Sequence, residues 1–180
     1  MFAATFFLVA TQSEAQTAPE PKDYRMAHYR APVPATLSGA TVVGPEEAHG
    51  LWIADDAAFI DVLPQPPKPA NLPEGTIWRD KPRHSIPGAL WVPNVGYGAI
   101  AGVTQSYFRT ALEAATNGVL EHPIVLFCLE DCWMSWNAAR RALSWGYTSV
   151  YWLPEGTDGW ALWGYPLERV LPMEGQPQTP

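Results

Sequence analysis

Positive charge and cysteine are both scarce in this chain. Lys and Arg supply only 11 of the 180 residues, against 18 Asp and Glu, which leaves a formal charge of −7. No basic stripe relieves that deficit, so nucleic acid and anionic membrane are poor partners for it. No apolar run approaches the roughly 18 residues that a spanning helix needs, and no internal repeat is present. The only cysteines are Cys128 and Cys132, so any cysteine chemistry is confined to one short stretch. Covalent haem attachment expects Cys-x-x-Cys-His, whereas the spacing here is longer and Trp133 follows the second cysteine. Two thiolates with His84 or His122 do not define a copper or zinc site, so no metal and no cofactor are expected.

What the chain does contain is a core. Hydrophobic residues make up 47% and nine are Trp, enough for one domain of ordinary size and too few for two. The run Phe2, Phe6, Phe7, Leu8, Val9 followed by Ser13-Glu14-Ala15 reads as a signal peptide over residues 1–15, although no Lys or Arg precedes it. Export to the periplasm is therefore expected, without membrane insertion after cleavage. Residues 16–38 are polar and Pro-bearing and read as a linker that docks along the domain, with Tyr24, Tyr29 and Val33 as anchors. A domain over 39–171 and a disordered tail over 172–180 complete the organisation.

Within the domain, Thr41-Val42-Val43 is a short β-rich run, and Gly44-Pro45-Glu46-Glu47 opens a helix reaching about Gly50. Ala58–Leu63 is an apolar strand ended by Pro64, with loop over 64–84. Ala89–Val92 is strand-like. Thr104–Thr116 places Tyr107, Phe108, Ala111, Leu112 and Ala115 on one helical face, stopped at Gly118. Ile124–Phe127 is a continuous apolar run suited to a central strand buried on both faces. A helix over Trp133–Trp145, with Gly146 as C-cap, and a strand over Val150–Leu153 follow. Strands alternating with helices of this length predict an α/β fold, a small parallel β-sheet flanked by helices on both faces. Ligands on such sheets bind beyond the strand C-termini, where Cys128 stands.

Four segments in this order resemble the rhodanese-like family: Phe59-Ile60-Asp61-Val62, His84-Ser85-Ile86-Pro87-Gly88-Ala89, Ile124–Ser135, and Leu153–Pro166. The resemblance implies that Cys128 sits at the base of a loop of backbone amides and carries sulfur as a persulfide. Tyr29-Arg30-Ala31-Pro32-Val33-Pro34 with Leu37-x-Gly39, together with Cys128-x-x-x-Cys132-Trp133-Met134-Ser135-Trp136-Asn137, resembles more narrowly the exported PQQ-dependent catabolism-associated CxxCW-motif proteins. That resemblance implies a periplasmic accessory of quinoprotein alcohol oxidation, with a PQQ-dependent dehydrogenase or its cytochrome as partner. It does not imply that the chain itself binds PQQ. Two departures bear on chemistry. The loop Leu129, Glu130, Asp131 carries two acids and ends in Trp133 where the family often has Arg or Thr, and Leu63 stands where a strand-ending Arg is common.

The candidate site is therefore Cys128 and Cys132 as catalytic pair, with Leu129, Glu130, Asp131, Trp133, Met134 and Ser135 as the surrounding loop. Helix-dipole stabilisation of a thiolate at Cys128, about 0.3–1 kcal/mol and at most about 2, is roughly cancelled by a carboxylate about 6 Å away, on the order of 2–3 kcal/mol. A neutral or protein-borne thiol thus fits better than an anionic donor. Cys128 is expected to open into a pocket with Trp133 at its rim, attacking or carrying sulfur while Cys132 resolves. Ser135 is expected to bond the first amides of its helix, and Arg140 and Arg141 to be solvated. Asp61 is read as a backbone partner beside the loop and His84 as fixing its turn. Two rivals stand beside this reading: a non-enzymatic binding module with a structural Cys128–Cys132 disulfide, and an ordinary thiosulfate-type sulfurtransferase.

Overall fold

The computed structural model describes residues 18–177, so the expected signal peptide and the last three residues lie outside the described part. In chain order the elements are β1 (Thr41–Val42), α1 (Pro45–Ala54), β2 (Ala58–Asp61), β3 (Arg83–Ser85), β4 (Leu90–Trp91), α2 (Gly102–Thr116), β5 (Ile124–Phe127), α3 (Trp133–Ser144), β6 (Val150–Leu153), α4 (Gly156–Leu162) and β7 (Glu168–Val170). Local chemistry explains several boundaries. Pro45 opens α1, and the Gly44 amide donates to the Glu47 carboxylate at 3.0 Å, satisfying one donor the helix itself cannot. The helix runs past Gly50 to Ala54, because Trp52 continues its inner face and donates from Nε1 to the Pro87 carbonyl at 2.8 Å. Asn117, in the left-handed region, ends α2 just before Gly118. No helix among the described residues is long and apolar enough to cross a membrane.

The main sheet has the order β1-β6-β5-β2-β4 and every pairing in it is parallel. Ile124–Phe127 lies in the middle, and all four residues are fully buried, as a continuous apolar run requires. Alternation divides the core into two. Ile60, Leu126, Val150 and Trp152 share one cluster with Tyr107, Phe108 and Leu112 of α2 and Trp136, Ala139 and Ala142 of α3. Phe59, Val125, Phe127 and Leu153 share the other with Ala48 of α1 and Trp160 of α4. The expected α/β class, a parallel sheet with helices on both faces, is the one observed. Small residues Ala138, Ala139 and Ala142, all fully buried, bring α3 close against the sheet.

Three expectations need correction. Residues 64–84 are not loop throughout, because Arg83–Ser85 pairs antiparallel with Glu168–Val170 to form a second, two-stranded sheet. Its polar sequence carries no apolar alternation, and its partner lies far along the chain. The tail expected from 172 onward is anchored at its start, where the Met173 amide donates to the Trp91 carbonyl at 2.8 Å and Tyr107 donates to the Met173 carbonyl at 3.1 Å. Arg141 is not solvated. It is 4% exposed, and its guanidinium donates to the carbonyls of Val95, Tyr97 and Gly98 at 2.8–3.0 Å, a set of acceptors with no strand partner that a five-donor side chain can satisfy.

Truncating the central strand should show how much it carries. Leu126→Ala is expected to lower unfolding free energy by about 2–5 kcal/mol in denaturant titration. Leu162→Ala, at a side chain 85% exposed, is expected to stay within about 0.5 kcal/mol.

Candidate functional site

Where β5 stops, the chain must turn sharply from the sheet into α3 over the residues Cys128, Leu129, Glu130, Asp131 and Cys132. The two cysteines are joined as a disulfide with their Cα atoms 6.5 Å apart, inside the usual range for such a bond. Leu129 bridges to Gly156, the Glu130 amide donates to the Asp158 carboxylate at 3.1 Å, and Asp131 adopts φ 51° to complete the turn. Cys132 is extended and serves as the N-cap residue of α3. Gly156 has φ 52°, and a Cβ there would lie 2.5 Å from the Cys128 carbonyl oxygen, so only glycine lets α4 start this close to the loop.

The Cys128 carbonyl is the most heavily engaged group of the turn. It accepts from the Thr157 amide at 3.0 Å, from Thr157 Oγ1 at 3.3 Å and from Arg83 Nη2 at 3.3 Å. Arg83 also donates to Thr157 Oγ1 at 3.1 Å and, through Nε, to Asp61 Oδ2 at 2.6 Å. Asp61 is fully buried at the end of β2 and accepts in addition from Ser85 Oγ at 2.6 Å and the Leu63 amide at 2.9 Å. Burial pushes the Asp61 carboxyl above its ordinary range, against the opposing pull of the Arg83 charge and the three donors. The expected backbone contact of Asp61 is present, but its chief partner is a cation that the loop assignment concealed. Leu63 is uncharged, and the cation at Asp61 comes from Arg83 on another strand. The signal that could have revealed it is physical: an aspartate ending an apolar strand needs a buried cation, and Arg83 directly precedes His84-Ser85-Ile86-Pro87-Gly88-Ala89. His84 itself is exposed on β3 and takes no part in the loop.

At the start of α3, Ser135 does not bond the first amides. Its Oγ donates to the Cys132 carbonyl at 3.1 Å and accepts from Trp152 Nε1 at 3.0 Å, tying the helix back to the sheet. Trp133 is buried beside Trp136, edge to face at 5.5 Å, and its Nε1 has no partner among the described residues. It borders a cleft of about 520 Å³ shared with residues of the 18–28 segment. Met134 is buried with its backbone packed against Gly96.

Residues 18–39 form an arm along α3, and the arm explains the largest correction. Cys128 does not open into a pocket: it is 0% exposed and Cys132 2%. Arg30 forms an antiparallel bridge with Cys132, flanked by Ala31 N–H to the Asp131 carbonyl at 3.1 Å and Trp133 N–H to the Tyr29 carbonyl at 2.9 Å. Asn137 grips the arm further along, accepting from the Arg25 amide and donating to the Arg25 and Gly96 carbonyls, all at 2.9 Å. Arg140 is likewise not free, since it donates to the carbonyls of Pro21 and Lys22. Glu130 and Asp131 are exposed, the Asp158 carboxylate meets the Glu130 amide, and cations stand on other sides of the loop, with Arg83 on the Cys128 carbonyl, Arg30 opposite Cys132 and Arg25 over the Trp133 ring at 5.0 Å. The repulsion expected from the two acids is therefore weakened by the water around them. No three His, Cys, Asp or Glu side chains among the described residues gather where a metal ion could be held.

No family model matches this sequence, and no curated protein matches it. Solved structures do match. A polysulfide-sulfur transferase homodimer from Wolinella succinogenes aligns with a TM-score of 0.45 and 16% identity over 73% of this chain and 80% of its own. The human single-domain sulfurtransferase TSTD1 gives 0.41 and 24% identity over 68% and 96%. EanB carrying T414A, in complex with hercynine, gives 0.48 and 19% over 79% of this chain and 34% of its own.

Removing the cation beneath the loop should leave a buried carboxylate without its charge partner. Arg83→Gln is expected to lower unfolding free energy by about 3–5 kcal/mol, measured by denaturant titration, with the Cys128–Cys132 bond still formed in the folded fraction.

Proposed function

We propose that this chain is an exported rhodanese-like protein whose Cys128–Cys132 pair cycles between disulfide and dithiol, serving PQQ-dependent alcohol catabolism as a periplasmic accessory. The observation that carries the reading is the disulfide itself, placed between the end of a central parallel strand and the first residue of the following helix. Beyond strand C-termini is where such sheets do chemistry. A bond closing so short a loop removes only about 2 kcal/mol of unfolded-chain entropy, a modest structural return for two cysteines. Each exchange balances between the pair and a thiol substrate, and the same steps run in reverse against a substrate disulfide return the pair to its oxidised form. A substrate thiolate attacks one sulfur of the pair, the other leaves as thiolate, and a second substrate thiolate displaces the first cysteine, so substrate gives up two electrons and the pair takes them.

The quinoprotein setting, a dehydrogenase or cytochrome partner, and the periplasm rest on the sequence resemblance of the arm and the Cys-x-x-x-Cys-Trp loop. The non-enzymatic binding module is favoured by one observation, the burial of both sulfurs.

Equilibration of the native protein in glutathione buffers of graded poise, followed by alkylation and intact mass, separates the two. Cycling predicts reversible gain of two alkylatable thiols while the fold persists. Retention of the disulfide in every buffer until the protein unfolds would leave the binding module.

A further inference from the structure

Resting on the exchange reading, we infer that the arm occupies the place of a polypeptide substrate, and that the partner of this pair is a protein cysteine on an extended segment laid against residues 131–133. Around Cys132 the loop offers one acceptor, the Asp131 carbonyl, and one donor, the Trp133 amide, and the arm satisfies both from Ala31 and Tyr29. An extended chain reproduces both bonds, whereas a compact thiol without flanking amides leaves both unmet. The two bonds lie either side of the Arg30 and Cys132 pair, which makes it a non-hydrogen-bonded antiparallel pair. In such pairs the Cα atoms stand about 4.5 Å apart and opposing side chains are at their closest, within the separation a disulfide spans.

The residue opposite Cys132 is thus where an incoming cysteine belongs. Its thiolate attacks Cys132 Sγ, forming the mixed disulfide, and Cys128 departs as thiolate. A second thiolate of the partner then attacks the partner's own sulfur and releases Cys132, so the pair leaves reduced by two electrons and the partner oxidised by two. Cys132 carries the mixed disulfide and Cys128 is the leaving thiol, the reverse of the roles the sequence suggests. The arm fits a displaceable occupant. Arg30 and Pro32 are exposed, Pro32 and Pro34 bring no amide donors, and its pairing with the loop is a single bridge.

The test uses the full chain. Arg30→Cys is reduced, reoxidised in mixed glutathione, alkylated and mapped. The expected product links position 30 to Cys132 and leaves Cys128 as the alkylated thiol, while Ala35→Cys, exposed on the same arm, retains Cys128–Cys132 and is alkylated at position 35. As a second measurement, a synthetic peptide matching residues 26–34 with cysteine in place of Arg30 should reduce the wild-type disulfide severalfold faster than glutathione, through a mixed disulfide mapped to Cys132. A native pair with position 30 alkylated, a link to Cys128 instead, equal linking by the Ala35 variant, or peptide and glutathione rates alike would each overturn the inference. If the wild-type pair exchanges with glutathione while any of these occurs, only the partner assignment falls. If it never exchanges, the exchange reading falls with it.

Discussion

A strand buried on both faces and leading into a helix has to leave the sheet without abandoning its last carbonyl. In this protein the Phe127 carbonyl still meets the Val62 amide, and the first carbonyl past the ladder belongs to Cys128. Three donors from two distant segments meet it, and one is an arginine whose charge is answered by an aspartate at the end of the adjacent strand. Because an unpaired charge at that depth costs far more than a lost surface contact, Asp61, Arg83, Ser85 and Thr157 hold together as a unit. The small second sheet exists at the same place, since β3 is the strand that delivers Arg83 and Ser85. The disulfide turn rests on that polar platform from below and is covered by the arm from above.

The two supports differ in kind. Below, the groups are fully desolvated and mutually dependent. Above, the cover is main chain pairing in a single bridge, a few side-chain bonds, and the grip of one asparagine. Local stability follows such differences, with few buried contacts marking the segment that opens first. Access to the sulfurs is consequently a matter for the arm side, while the platform holds the turn in shape.

Much of the fold was legible because its signals are local. The run Ile124–Phe127 has no polar face, Gly118 and Gly146 follow helix ends, and Pro45 starts a helix, so the central strand and the helices α1 to α3 followed from pattern, whereas the short α4 did not. The position of the cysteines at a strand end followed with them. What stayed hidden depends on pairing across long separations. Arg83-His84-Ser85 looks like loop until Glu168–Val170 lies beside it, and Arg141 looks solvated until the carbonyls of the 95–98 segment surround it. The cover over Cys132 was only half legible: the arm reads as a docking segment with Tyr29 as an anchor, but its pairing with the loop, about a hundred positions downstream, is made by the backbone of Tyr29, Arg30 and Ala31 and leaves no side-chain signal.

The indoles near the loop carry a consequence of their own. Trp133 adjoins Cys132 in sequence, and Trp136 and Trp152 share its hydrophobic cluster with both cysteines. A sulfur–sulfur bond quenches the excited state of an indole it touches, and two separate thiols quench it less. Opening of the pair beside such an indole would therefore be read as a change in tryptophan emission, without a label.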